Sequence, residues 1–389
     1  MRFLQKCVFL FLSIFLYTIN ARPLHILFVV GYFPVSSETF ILNQITSLID
    51  KGHTVSIFSF KKGEETYRDP LIEKYRLLDR TWYEEFPHHL SDVDIVFCQF
   101  GYHGRKIVDM PELSEWLCNK KIVTCFRGSD ITVFAQKKVD IYKELFERGD
   151  LFLPVCEYFK HKLINIGCNP EKIIVHHSAI DCSRFVFQKK QKKCNEKISL
   201  ILTARLIEKK GIDDAIKAIA YMYGKQYRNL EFIIVGDGPE RSYLEKMVKA
   251  LQLQSVVKFI GWASHERVVE LLKKADIFLL PSVTAANGNE EGIPNAVKEA
   301  MAVGVLPIIT RHAGNAELVE DGISGFLVSE RNPRELAEKI MYAITHQHEW
   351  KKMARAARKK IEQEFEIIKT VERLEQIFYQ LLSREPQLM

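Results

Sequence analysis

The sequence predicts an α/β protein made of two Rossmann-like, doubly wound domains that face a central cleft. Three observations carry this expectation. The chain has 389 residues, which suits two cores better than one. Between residues 199 and 309 short apolar runs alternate with helix-period segments, the pattern of a parallel sheet covered by helices on both faces. The same alternation, less clean, runs from 25 to 176, and a polar, lysine-rich stretch separates the two.

Residues 1–22 stand apart from both. Arg2 and Lys6 precede an apolar run over 7–17, the charged start and short centre of a secretory signal. The run is short for a membrane span. A cleaved signal, an uncleaved anchor and a mis-assigned start codon remain open. Residues 25–30 then form the first strand and Gly31 opens a turn. Ser36 or Ser37 would cap the following helix, whose apolar face holds Phe40, Ile41, Ile45, Leu48 and Ile49. Gly52 ends that helix and 54–60 is the next strand, a βαβ unit with a right-handed crossover. Further strands are expected at 95–99, 122–126, 151–154 and 172–176, while 61–90 is polar, mixed and uninformative.

The first domain is therefore 23–185 and the linker 186–197. In the second domain, 198–365, strands at 199–203, 231–235, 257–260, 277–280 and 306–309 are joined by helices at 211–222, 240–251, 265–273 and 295–301. From 333 to 382 the pattern is helical throughout, with 366–389 set apart as a C-terminal helix. No internal sequence repeat is visible. Each sheet would present its C-terminal strand ends to the cleft, where such folds bind ligands.

Composition excludes several classes. A formal net charge of +6 is too small to argue for nucleic acid. Basic clusters at 189–193 and 351–360 suit an anionic membrane surface, and equally suit a linker and solvated helix faces. Eight cysteines with irregular spacing and no CxxC pair argue against a disulfide framework or a zinc site, and for a reducing compartment. No HExxH or carboxylate-rich metal motif occurs, so no metal is expected. The favoured location is the cytoplasm, with tethering at the inner face of the membrane left open by the N-terminus.

The chemistry concentrates after strand 277–280. Gly292 permits a tight turn, and Pro294 suits a first helical position. The helix start would then aim free N–H groups at a strand end, a ready anion site. Glu291 and Glu299 flank it. A phosphate on the amides and hydroxyls on the carboxylates together describe a nucleotide sugar. Glutamates are common in helices, and one of such a pair would otherwise be an ordinary surface residue. Arg205 and Lys210 follow strand 199–203, where a guanidinium fork and a point charge would suit a diphosphate, or form a solvated basic loop. Gly236 and Gly238 allow close approach of backbone to a ligand, although Arg241 stands where a dinucleotide fingerprint needs its third glycine. In the first domain Arg127 could reach an anion in the cleft and Asp130 could cap the segment after it. Residues 99–104 would line the same wall. His103, His161, His176 and His177 read as structural.

Arg205…Lys210-Gly211, Gly236-Asp237-Gly238-Pro239, Phe259-Ile260-Gly261-Trp262, the Glu291/Glu299 pair and Gly314-Asn315-Ala316-Glu317-Leu318-Val319 occur in that order. Together they resemble the retaining GT-B glycosyltransferases of family four, over nearly the whole chain after residue 23. Ser36-Ser37-Glu38-Thr39-Phe40-Ile41 and Pro281-Ser282-Val283-Thr284 look closer still to the bacterial colanic-acid and exopolysaccharide branch. The resemblance implies that Arg205 and Lys210 hold a donor diphosphate and that Glu299 takes the ribose hydroxyls. It implies that Glu291 faces the transferred sugar, with the backbone at Ile293, Pro294 and Asn295 near its hydroxyls and phosphate. Backbone at Ile260 and Gly261 would meet the base. Such enzymes use no metal and no cofactor beyond the nucleotide-sugar co-substrate. Many members carry histidine where Arg127 stands, and arginine cannot replace its neutral acceptor, so a phosphate or an acidic sugar is the contact expected here. A glycine pair usual in the N-terminal loop is absent, Gly31 standing alone. The function implied is retaining transfer of a hexose from a UDP- or GDP-sugar to a lipid-linked or saccharide acceptor in surface polysaccharide assembly. A GT-B nucleotide-sugar epimerase and a non-catalytic scaffold are the alternatives.

Overall fold

The structure is a computed structural model that describes residues 22–64, 67, 69–138, 140–188 and 196–383. The signal-like segment to residue 21, most of the expected linker and the end of the expected C-terminal helix lie outside the described residues.

Strands β1 (His25–Phe33), β2 (Thr54–Lys62), β3 (Thr81–Tyr83), β4 (Ile95–Cys98), β5 (Lys121–Phe126) and β6 (Leu151–Pro154) form one parallel sheet in the order β3-β2-β1-β4-β5-β6. Strands β7 (Ile198–Thr203), β8 (Leu230–Val235), β9 (Val257–Gly261), β10 (Ile277–Leu280), β11 (Leu306–Thr310) and β12 (Phe326–Val328) form a second, ordered β12-β11-β10-β7-β8-β9. Counted within each half, both sheets follow the same doubly wound order, so the order reverses between β1 and β4 and between β7 and β10. The repeat that sequence does not show is thus present in the topology. β4, β6 and β10 are buried along their whole length, which explains their unbroken apolar runs.

Helices α1 (Thr39–Asp50), α2 (Gly101–Val108) and α3 (Glu157–Asn165) belong to the first domain, and α4 (Ile212–Gly224), α5 (Arg241–Ala250), α6 (His265–Lys274) and α7 (Asn295–Val303) to the second. After α8 (Pro333–Thr345) and α9 (Gln347–Lys360) the chain returns to the first domain as α10 (Ile367–Ser383). Val371, Leu374 and Phe378 of α10 share a buried cluster with Ile26, Phe28 and Ile45. Each such side chain removed from water contributes about 1.5–3 kcal/mol, which is ample to hold the helix there. Glu375 adds contacts to Lys51 and His53, both at 3.0 Å. Among the described residues no helix is long and apolar enough to cross a membrane.

Several expectations are corrected. The helical pattern over 333–382 breaks at Glu366, which is extended (φ −77°, ψ 136°). There Ile180 N–H donates to Phe365 O (2.9 Å) and Ile367 N–H to Ile180 O (3.0 Å), so the two crossings between domains lie side by side. Residues 172–176 are not a strand. Only Ile173 bridges to Phe152; Ile174 N–H donates to Phe152 O and His176 N–H to Pro154 O (both 3.0 Å), so the segment runs along β6 without a full ladder, with Ile173 and Val175 buried. Two short edge strands, β3 and β12, carry too few residues to show a period. Neither Ser36 nor Ser37 caps α1 with its side chain; the two sit in a 3-10 turn ahead of it.

Candidate active site

The loop after β7 carries Arg205, Lys209 and Lys210, and main chain holds it from behind. Leu206 N–H donates to Asp237 O (2.9 Å), Glu240 N–H to Leu206 O (3.1 Å) and Val283 N–H to Lys209 O (2.9 Å). Glycine makes this packing feasible. A Cβ on Gly236 (φ +129°) would lie 1.9 Å from Ala204 O, and one on Gly211 (φ +60°) would lie 1.9 Å from Pro281 O. A Cβ on Gly238 would come within 2.4 Å of Leu206 O. The close approach that Gly236 and Gly238 allow is therefore to the chain's own β7 loop. Gly261 joins the same stack, its carbonyl accepting from Gly236 N–H at 2.8 Å.

On this platform Lys210 Nζ donates to Glu291 Oε2. Lys209 Nζ lies 3.8 Å from the same oxygen and donates to Glu290 O at 3.2 Å. Burial alone would raise the Glu291 pKa, but Lys210 and then Lys209 hold it at about 2. Glu291 N–H donates to His312 Nε2 (3.0 Å), which leaves the His312 proton on Nδ1, where it meets Glu330 Oε1 at 2.6 Å. The turn carrying the carboxylate is thus pinned at backbone and side chain.

Pro294 lies just outside α7 as its N-cap, extended at φ −72° and ψ 125°, rather than at the first helical position. Lys298 N–H makes the first intrahelical contact, to Pro294 O at 3.4 Å, so the amides of Asn295, Ala296 and Val297 precede the helical ladder. Three buried side-chain oxygens stand near this start without a hydrogen-bond partner among the described residues: Asn295 Oδ1, Thr203 Oγ1 at the end of β7 and Ser282 Oγ after β10. They make the point where the strand order reverses polar. The Arg205 side chain is exposed, with no hydrogen bond or ion pair to any described residue.

The first domain brings Arg127 to this place. Its Nη2 donates to Gln99 Oε1 (2.7 Å), its Nε to Gln99 O (3.2 Å), and the guanidinium lies 4.5 Å from the Phe40 ring centre. Asp130 does not cap the segment after it. Its carboxylate collects the amides of Arg127 (3.1 Å), Gly128 (2.7 Å) and Gly101 (2.9 Å), which fastens the Arg127 loop to the start of α2. Burial pushes Glu38 up to about 7, with Arg127 opposing it. The domains meet close by. A Cβ on Gly292 would lie 3.1 Å from Arg127 O. Glu317 accepts from Glu157 N–H (2.9 Å) at the α3 start, and Glu290 accepts from Tyr158 Oη (2.9 Å) and pairs with Lys162 (2.6 Å).

Glu299, one turn beyond Asn295, faces a narrow crevice that it shares with Phe40, Asn43, Arg184, His265 and Asn295. Burial raises its pKa to about 7, against Lys298 and Arg184. Ile260, at the end of β9, is exposed. The structure therefore gathers Lys210, Glu291, Ile293, Pro294, Asn295 and Arg127 at one place. It sets Glu299 in the adjoining crevice and leaves the Arg205 and Ile260 side chains in solvent. No group of three or more His, Cys, Asp or Glu is placed to hold a metal ion among the described residues.

Residues 183–360 match the family described as glycosyl transferases group 1. The chain is 33% identical to a putative colanic acid biosynthesis glycosyltransferase, WcaL, of Salmonella typhimurium, over 86% of this chain and 94% of that protein. It is 32% identical to the amylovoran biosynthesis glycosyltransferase AmsK of Erwinia amylovora over the same shares. The chain belongs to the group 1 glycosyltransferases. Its two-sheet architecture is the GT-B fold. It superposes on Anabaena HepE, solved in complex with UDP, with a TM-score of 0.75 at 17% identity, covering 92% of this chain and 100% of that one.

In this glycosyltransferase, sequence reasoning missed Lys209, His312 and Glu330. Lys209 reads as half of an exposed Lys-Lys pair. His312 stands two residues before the Gly314 motif, and no spacing rule distinguishes it from a structural histidine.

Proposed function

We propose that this glycosyltransferase is a retaining, metal-independent hexosyltransferase of exopolysaccharide assembly. It takes a hexose from a UDP- or GDP-sugar and passes it to a lipid-linked or saccharide acceptor. The colanic-acid and amylovoran relatives support the pathway class. Anabaena HepE, captured with UDP-glucose, supports the donor class through the shared fold. The observation that carries the reading is Glu291, ionised between Lys209 and Lys210 beside the α7 start.

Charge development explains the need for that arrangement. As the bond from sugar C1 to the diphosphate breaks, the leaving group gains negative charge and the sugar becomes cationic. Lys210, Arg205 and the first α7 amides would take the charge on the diphosphate. A donor phosphate would draw Lys210 off Glu291, freeing the carboxylate to accept from sugar hydroxyls. Lys209 and the His312 bond would keep that carboxylate in place meanwhile. Glu299 would take the ribose hydroxyls, and backbone at Ile260 and Gly261, stacked on Gly236, would meet the base. Arg127 would touch the donor phosphate or an acidic group on the sugar. Closure between the domains would exclude water and limit donor hydrolysis. The cytoplasm, where nucleotide sugars are made, is the location this reading requires.

A thermal-shift panel of UDP- and GDP-sugars tests it, followed by product analysis with EDTA present. Stabilisation by one donor, lost in Arg205→Ala/Lys210→Ala, is expected, with an α-linked product from an α-linked donor. Donor binding that survives the double substitution contradicts the assigned diphosphate site, and conversion of the donor without acceptor would make the protein an epimerase.

A further inference from the structure

A second cavity, of about 450 Å³, opens at the C-terminal ends of β1 and β2, against the start of α2. It lies wholly within the first domain, and no residue placed above at the Lys210–Glu291 site lines it. Its volume is that of a small-ligand site. Cations and rings alternate around it. Lys106 Nζ stands 3.8 Å from the Phe60 ring centre, Lys61 Nζ 5.8 Å from that of Tyr32, and the Arg105 guanidinium 6.0 Å from that of Phe134. The one acidic residue in the lining, Asp109, is already paired with Arg105 at 2.9 Å. Neither Lys61 nor Lys106 has a carboxylate partner among the described residues. The cavity therefore carries unanswered positive charge.

Its floor is His103, which is 9% exposed, with Nδ1 buried and unpartnered among the described residues. Burial and then Lys106 push its pKa down to about 3, so the ring is neutral and offers one donor and one acceptor. Gly31 lets the ring sit there. A Cβ on Gly31 would lie 2.7 Å from His103 Nε2.

We infer that this cavity binds the acceptor, and that the acceptor is a saccharide carrying a negative charge. The inference rests on the transferase reading and deepens it. The rings of Tyr32, Phe60 and Tyr102 in the lining offer apolar contact to the C–H groups of a pyranose. The neutral His103 ring can exchange one hydrogen bond with a hydroxyl, as donor or as acceptor. Lys61 and Lys106 match a carboxylate or a phosphate, and a ring-stacked ammonium is partly desolvated, so it gains more from an anion than a free one would.

The test uses the whole protein with its donor site saturated by UDP or GDP, whichever the thermal-shift panel selects, so that a phosphate probe reads the first domain only. Methyl glucoside, methyl glucuronide and glucose 1-phosphate are titrated by NMR at low salt. At least one charged probe is expected to bind about tenfold tighter than the neutral one, the worth of one partly exposed charge contact. A margin for the carboxylate identifies a sugar acid, and one for the phosphate identifies a phosphate-linked sugar such as a lipid-carrier head. Lys61→Gln/Lys106→Gln should erase the margin, and Lys61→Glu/Lys106→Glu should invert it. Both lysines are exposed, so the variants should fold, as their melting temperatures will report. Equal affinity for all three probes, or a margin that survives both double variants, overturns the inference. Binding of UDP or GDP by the unsubstituted protein reads the transferase assignment separately: a nucleotide bound without charge preference sinks this inference alone, and no binding of either nucleotide sinks the reading beneath it.

Discussion

The two sheets share one strand order yet wall their crevices with different material. At the second sheet the loops rest on each other through main chain: Gly211 on Pro281 O, Gly236 on Ala204 O and Gly238 on Leu206 O. At the first sheet most close approaches are to side chains: Gly31 on the His103 ring, Gly101 on the Phe126 ring and Gly104 on Thr124. Gly63, against Pro34 O, and Gly149, against Leu145 O, are exceptions. A main-chain wall fixes charges whatever the neighbouring side chains, which suits a group that never varies, such as a diphosphate. A side-chain wall can be recut by single substitutions, which suits an acceptor that differs from one polysaccharide to the next.

The largest expected effect tests the charge held on the rigid wall. Glu291→Gln keeps the volume but not the charge, and leaves Lys209 and Lys210 facing a neutral amide in a largely buried place. We expect kcat to fall by about 10²–10³, the usual cost of losing one preorganised electrostatic group. Lys106→Gln, on the adaptable wall, should instead raise the acceptor KM about tenfold with a smaller change in kcat. Steady-state kinetics with both substrates varied separates the two. Comparable losses of kcat in both variants would erase the contrast.

Stability sharpens the same contrast. Gly236→Ala puts a Cβ into a carbonyl oxygen at a left-handed φ, so backbone must move; a loss of about 3 kcal/mol is expected from urea unfolding. Gly31→Ala presses on a ring that borders open cavity, and about 1 kcal/mol is expected because the ring can tilt. A Gly31→Ala loss as large as that of Gly236→Ala would show that the first wall is as rigid as the second.

How far sequence reaches follows from the same division. The inner strands of the second sheet are legible because a doubly covered strand must be apolar throughout, as in Ile277-Phe278-Leu279-Leu280. Residues 172–176 mislead because they follow β6 through one bridge and two main-chain hydrogen bonds, which bury Ile173 and Val175 as a strand would without extending the sheet. The break at Glu366 is invisible because helical sequence flanks it, and its cause is the pairing with Ile180, far away in the chain. At the site, Glu291 is legible from its turn and its spacing to Glu299. Its partners are not. Lys209 and Lys210 reach it from 82 and 81 positions earlier in a fold that sequence does not print, and His312 is chosen only because β11 lies beside β10.

A further effect, visible only as a change with pH, lies between the two regions, at Lys298 of α7. This side chain is fully buried, donates to Ser178 O (2.5 Å) and to Ser178 Oγ (3.1 Å), and sits 5.6 Å from the Phe365 ring centre. It therefore touches both crossings between the domains. Burial lowers its pKa from 10.5 to about 7, with Glu299 opposing. Between pH 7 and 10.5 the unfolded chain holds a proton that the folded chain has lost, so stability rises with pH across that window. Glu299, raised from 4.5 to about 7, acts oppositely below it: the folded chain holds the extra proton, and stability falls as pH climbs from 4.5 to 7. Together the two place a dip near neutrality. Lys298→Met keeps the stem and removes the alkaline arm. The stability of the unsubstituted protein relative to this variant should climb by on the order of 1–2 kcal/mol from pH 7 to pH 10, read from paired melting curves. A difference independent of pH would mean that the ammonium is solvated at the crossing, and that the rigid and adaptable walls are joined more loosely than the paired chains at Ile180 and Glu366 imply.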